Sequence, residues 1–321
     1  MSEAASNDEL ISPVADQLAE AILDGGHDTD EETDDDPELW KPHPPNADCP
    51  ICCIPLPHLA EHSMYFPCCG KRVCSACDSE HYRATNITNA KREKKELPPL
   101  PLSCPFCRVA DWDTDEELIQ RYQYRVEKGD ALAVHIFAGK IASGQSGLPK
   151  DTLKALELWH QAAKLGCTDA FSELGRCYTY GDGIKKDEMK GMQCLKIATK
   201  KGSVLARHNL GNIFYEIGND DLNIKHLRLA AAAGFDLSMD TLWGKFYKGR
   251  LSKDDLEDSL RAHKRASDEM SSEERERWLE WQKANKGDDD ALKNIYKCYY
   301  AGMINANGLK KALKAHNSTS A

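Results

Sequence analysis

The chain has 321 residues, with 42 Lys and Arg against 52 Asp and Glu for a net charge of −10. Residues 1–40 hold 14 of the acids and no Lys or Arg, so everything after them is close to neutral, which argues against a broad nucleic-acid-binding surface. No apolar run reaches the roughly 18 residues of a membrane span, and the N-terminus lacks the basic start and apolar core of a secretory signal, so a cytoplasmic or nuclear protein with reduced thiols is expected.

Residues 1–48 read as a disordered acidic tail, because Asp24–Glu38 is almost wholly Gly, Asp, Glu and Thr and cannot bury enough apolar surface to offset the entropy of folding. Val14, Leu18 and Ile22, four apart, read as a nascent solvated helix, with a partner-binding segment as the other reading. Lys41-Pro-His-Pro-Pro45 is predicted to form a stiff, extended lead-in.

Nine of the thirteen cysteines fall between Cys49 and Cys107, a density that points to metal ligation and not to a disulfide framework. They pair as Cys49-x2-Cys52, Cys68-Cys69, Cys74-x2-Cys77 and Cys104-x2-Cys107. Two thiolates of a Cys-x2-Cys knuckle bind one zinc ion at ~2.3 Å, and a closed tetrahedral site needs four ligands. Eight ligands therefore make two structural zinc sites. Cys53 is a spare thiol, and the run from Asn89 to Pro101, with Lys91-Arg-Glu-Lys-Lys95, reads as a solvated insertion.

Cys49-Pro-Ile-Cys52, Phe66-Pro-Cys-Cys-Gly-Lys-Arg-Val-Cys74-Ser-Ala-Cys77 and Cys104-Pro-Phe-Cys107-Arg108 together resemble a RING-type zinc finger over residues 49–110. The resemblance implies a cross-brace, with Cys49, Cys52, Cys74 and Cys77 on one ion and Cys68, Cys69, Cys104 and Cys107 on the other. Where most members of that family carry a histidine ligand this sequence has Lys71, so an all-cysteine variant is expected, with His81 or His62 as substitutes for one of the adjacent pair. The resemblance further implies that Ile51, inside the first knuckle, and Pro105, inside the last, touch a ubiquitin-conjugating enzyme. Arg108 takes the place of the cation that holds the ubiquitin thioester in a reactive pose.

Thr114-Asp-Glu-Glu117 is a capping box, and a helical repeat follows it. Ala133…Phe137-Ala138, Ala170…Leu174-Gly175 and Ala206…Leu210-Gly211 recur at steps of 37 and 36 residues, and Ala162…Gly166, Ala198…Gly202 and Ala230…Gly234 at 36 and 32. Each unit is predicted to be helix, Gly-rich turn, helix, as in a solenoid. Leu174-Gly-Arg-Cys-Tyr178-Thr-Tyr-Gly181-Asp-Gly183-Ile-Lys-Lys-Asp187 resembles a Sel-1-like repeat, a relative of the tetratricopeptide family, and the repeats are assigned to residues 114–234. Residues 235–316 read as divergent repeats, since Leu242 to His263 matches Ile295 to His316 at an offset of 53, with 317–321 a disordered tail. Trp278 and Trp281 read as a packing face, Cys167, Cys177, Cys194 and Cys298 as buried free thiols, and His263 and His316 as structural.

The fold class expected is mainly α: a small two-zinc cross-brace RING-type domain followed by an α-solenoid of helical-hairpin repeats, behind a disordered acidic N-terminus. The two resemblances together imply a ubiquitin ligase or ligase adaptor whose array recruits a protein substrate on its concave face. It would act by positioning, with no cysteine nucleophile. The alternative is a non-catalytic, zinc-stabilised interaction scaffold. A histone-reading finger of the related plant-homeodomain type is weaker, because that family needs a His before its last three cysteines and usually an aromatic cage, and Tyr82 is the only Phe, Tyr or Trp between Cys77 and Cys104.

Overall fold

The computed structural model describes residues 36–44, 46–59 and 62–285, the side chains of 281–285 excepted. Along the chain come a 3-10 turn (Pro37–Trp40), β1 (Ser63–Phe66), β2 (Lys71–Cys74), α1 (Ser75–Glu93), α2 (Asp115–Glu127), α3 (Ala131–Ser143) and α4 (Thr152–Lys164). Then follow α5 (Thr168–Tyr180), α6 (Glu188–Lys200), α7 (Val204–Glu216), α8 (Asp220–Ala232), α9 (Asp236–Tyr247), α10 (Lys253–Glu269) and α11 (Glu273–Asn285). None of these helices is long and apolar enough to cross a membrane. The chain divides into two units: the segment ending at Pro45 goes with Asp113–Ser267, and Asn46–Trp112 goes with the segment beginning at Asp268.

The cysteine-rich unit is built on a hairpin. β1 and β2 pair antiparallel with Ser63 opposite Cys74 and Phe66 opposite Lys71, which leaves Cys68 and Cys69 in the turn between them. Cys74 ends β2 and caps α1, so Cys77 falls in the first helical turn. Leu56, Phe66, Val73 and Ala76 bury a core only a few side chains deep, with Phe106 and Trp278 packed against it. So small a core contributes little on its own, which is why metal is the usual supplement in such domains. The insertion expected to be a solvated loop from Asn89 is instead helical through Glu93. Asn89 then pins the proline-rich return, donating to the carbonyl of Leu100 at 3.0 Å and accepting from its N–H at 2.7 Å.

The other unit is a run of helical hairpins. The first helices begin at 131, 168, 204 and 236, so the repeat advances by 37, 36 and then 32 residues, the steps read from the sequence. Helix starts are capped by short polar side chains: Thr114, Asp130, Asp151, Asp187, Ser203 and Asn219 each accept a backbone N–H of the first turn. Within the second hairpin the backbones approach closely. A Cβ on Gly191 would lie 2.3 Å from Thr179 Oγ1, and one on Gly175 would lie 2.7 Å from Leu195 Cγ. Cys167, Cys177 and Cys194 are buried cysteines, and burial pushes Cys177 and Cys194 up to about 12. His263 pairs with Asp236 at 3.0 Å.

Two features bear on the chain's division. The lead-in through Pro44 is ordered against the hairpins, with Leu39 buried and Asp36 paired to Lys200 at 2.6 Å. Among the described residues of 235–316, α9 and α10 group with the hairpins, whereas α11 packs on α1. The readings of Val14 to Ile22, Cys298, Ile295 to His316 and the tail 317–321 lie outside the described residues, as does the side chain of Trp281.

Candidate functional site

Two of the cysteine pairs share one backbone form. In the first, Cys53 N–H donates to the Cys49 carbonyl at 2.8 Å and Cys49 N–H to that of Ile54 at 2.9 Å. In the other, Arg108 N–H donates to the Cys104 carbonyl at 3.1 Å and Cys104 N–H to that of Val109 at 2.9 Å. Isolated bridges close both loops, Asp48 with Pro55 and Ser103 with Ala110. The residue after each pair is left-handed, Cys53 at φ 56° and Arg108 at φ 60°. Cys53, a spare thiol in the sequence, is thus the conformational counterpart of Arg108.

These turns, the hairpin and the start of α1 bring the sulfurs into two groups of four. Cys49, Cys52, Cys74 and Cys77 form one and Cys68, Cys69, Cys104 and Cys107 the other, each with its sulfurs all within 4.8 Å of one another. Sulfur separations are 3.9 Å for Cys52–Cys74, 3.6 Å for Cys69–Cys104 and 3.5 Å for Cys68–Cys107. Four ligands at ~2.3 Å from a shared centre would stand ~3.8 Å apart, so the groups match a tetrahedral thiolate site. Backbone N–H groups point at the sulfurs as well. Cys74 N–H reaches Cys49 Sγ at 3.4 Å and Phe106 N–H reaches Cys104 Sγ at 3.5 Å, contacts that favour the thiolate. The donor set therefore fits a thiophilic ion.

Both histidines considered as substitutes are engaged elsewhere. His81 Nε2 is 2.7 Å from the carbonyl of Ser103, and His62 meets Trp278 edge-on at 5.1 Å between ring centroids. Lys71 is an exposed residue of β2. Tyr82 donates to Asp111 at 2.6 Å. Of the residues tied to a conjugating enzyme by resemblance, Ile51 is 43% exposed, Arg108 is exposed and Pro105 is half-buried.

One residue at this site carries no signal in the sequence. Arg275 of α11 is buried and donates to the carbonyls of Pro55 at 2.7 Å and Ile54 at 3.1 Å, with Nη2 3.6 Å from Cys52 Sγ. A hydrogen bond from Cys77 and the charge of Arg275 hold the Cys74 thiol down at about 4. Burial, with the neighbouring cysteines adding to it, pushes Cys52, Cys68 and Cys69 the other way. Four thiolates around a divalent ion would leave a net negative charge, part of which Arg275 would offset.

The family described as Sel1 repeat matches residues 138–167 and 171–203. Among solved structures, a Sel1 repeat protein from Oxalobacter formigenes is 23% identical, with 57% of this chain and 79% of that one covered and a TM-score of 0.44. A protective antigen of uropathogenic Escherichia coli strains, displaying an SLR fold, is 19% identical over 63% of this chain and 56% of that one, with a TM-score of 0.39. An immunity protein from Pseudomonas aeruginosa is 16% identical over 75% and 82%, also with a TM-score of 0.39. The two matched stretches fall on the hairpins α3–α4 and α5–α6.

Proposed function

We propose that this protein is a RING-type zinc finger protein of the cytoplasm or nucleus. It acts as a ubiquitin ligase or ligase adaptor, with its Sel1 array bringing the protein substrate. Two structural zinc ions suit the two quartets, and a closed all-cysteine site leaves no open position for catalysis, so zinc there supplies folding energy.

The observation that carries the ligase reading is the placing of Ile51 and Arg108 on two equivalent turns. Ile51 is exposed within the first turn, and Arg108 is exposed and left-handed directly after the last cysteine. An apolar side chain presented by a metal-held turn is a rigid anchor for a partner, and a guanidinium carries several donors in a fixed fork. The chain would speed transfer by holding a conjugating enzyme and its thioester-linked ubiquitin in one pose while a substrate lysine attacks.

The seating of α11 favours the scaffold reading, since its Arg275 already occupies the carbonyls of Ile54 and Pro55 in the loop that carries Ile51. Ubiquitin-chain formation with a panel of conjugating enzymes separates the two. Chains formed by the wild type and lost in folded, zinc-loaded Ile51→Ala and Arg108→Ala support the ligase. Chains that persist unchanged in both variants, or silence across the panel from zinc-loaded wild type, overturn it and leave the scaffold.

A further inference from the structure

The best-defined ligand-like contact in the hairpin unit is made by the chain itself. Residues 36–44 lie on α6, α7 and α8, and each kind of contact there is one that recognises a short peptide segment. Asp36 pairs with Lys200 at 2.6 Å, and that bond holds its carboxyl below the usual range. Leu39 is 1% exposed. Trp40 lies under Lys225, whose Nζ is 3.3 Å from the ring centroid, and against His226 at 4.7 Å. Arg207 donates to the backbone carbonyl of Lys41 at 3.0 Å and, through Nε, to His43. Pro44 crosses Gly202, where a Cβ would lie 2.9 Å from Pro44 Cγ at a left-handed φ of +93°.

Arg207 is the telling residue. It is 1% exposed, its Nη1 has no hydrogen-bond partner among the described residues, and no carboxylate pairs with it there. Burial alone brings it down to about 10. An uncompensated buried guanidinium costs stability, and here it is spent on main-chain and imidazole acceptors of the segment. Lys196, Lys200 and Lys225 make the surroundings cationic, and residues 28–36 of the sequence contain seven acids.

We propose that this surface is a peptide-binding site. In trans it takes a segment with acidic residues, then a Leu-Trp pair held in a 3-10 turn, then proline, and residues 36–44 are its exchangeable occupant in cis. The segment has one four-residue 3-10 turn, no strand pairing and one fully buried side chain, so a tether more than contact area keeps it in place. This rests on the reading of the array as a protein-interaction module and is independent of the finger.

The test uses the full chain and a fluorescein-labelled peptide of residues 28–45, followed by anisotropy. A chain carrying Leu39→Ser and Trp40→Ala has a weakened cis occupant and is expected to bind the peptide at least about tenfold tighter than wild type does. The peptide with Trp40→Ala is expected not to bind. Should that chain lose its helical signal, a charge swap keeps the idea exposed: Lys200→Glu is expected to prefer the peptide carrying Asp36→Lys over the native one. Equal affinity for wild type and the weakened chain, no saturable binding by any folded variant, or no preference after the swap overturns the proposal. Ubiquitin assays would be unaffected by any of these outcomes.

Discussion

The guanidinium of Arg275 and the sulfur of Cys52 lie 3.6 Å apart although 223 positions separate them in the chain. The same guanidinium ties two carbonyls of the loop just after Cys52, so it braces a ligand and the turn that aims it. Partners of this kind outside the ligand shell are typically worth 10–100-fold in metal affinity. Arg275→Ala is therefore expected to lose zinc about tenfold more readily in chelator competition, with the second quartet unaffected. Arg275→Lys, which keeps the charge but not the fork, is expected to fall between. Equal retention by all three proteins would remove Arg275 from the site.

Zinc content tests the quartets directly. Two ions per chain are expected by elemental analysis, one after Cys69→Ala, and still two after His81→Ala, because His81 is turned to the carbonyl of Ser103. A loss of metal on removing His81 with none on removing Cys69 would reverse the assignment of the second site.

The hairpins make a prediction about two glycines. Gly191→Ala places a methyl 2.3 Å from Thr179 Oγ1 and 2.9 Å from the backbone of Thr179 and Gly175, where the backbone atoms cannot give way. It is expected to cost roughly 1–3 kcal/mol. Gly139→Ala meets nothing within 4 Å in mid-helix and is expected to stabilise by about 0.5–1 kcal/mol. Thermal melts of the two variants should move in opposite directions.

Stability should also depend on pH through His226. It stacks on Phe214 at 5.3 Å, neither ring nitrogen has a hydrogen-bond partner among the described residues, and burial holds it down to about 3, with Arg207, Lys225, Lys196 and His43 acting in the same sense. Unfolded, a histidine titrates near 6.5, so its contribution is complete above that value. It is lost progressively as pH falls from about 6.5 towards about 3, while the unfolded chain takes up a proton that the folded one refuses. At pH 5 the loss amounts to about 2 kcal/mol. His226→Phe, which keeps the stack without the titration, is expected to flatten the difference between denaturation curves at pH 7 and pH 5. A wild-type curve parallel to that of the variant would exclude the effect.

What the chain shows without its structure is what depends on near neighbours. Cys-x2-Cys turns, capping residues and a repeat of 36 or 37 residues are written in local spacing, because a turn or a helical hairpin is specified by residues a few positions apart. The helix through Glu93 was obscured by its weak amphipathic pattern and its run of charge. The docking of Leu39 and Trp40 was obscured by the acidic composition around them, which reads as solvated.

Tertiary structure alone decided three things: that α11 joins the finger and not the repeats, that Arg275 reaches Cys52, and that Asp36 to Pro44 lie against Lys200, Arg207 and Lys225. The reason is physical. A buried guanidinium or an indole can be satisfied by any acceptor, cation or apolar surface the folded chain delivers, and no local pattern records which one arrives.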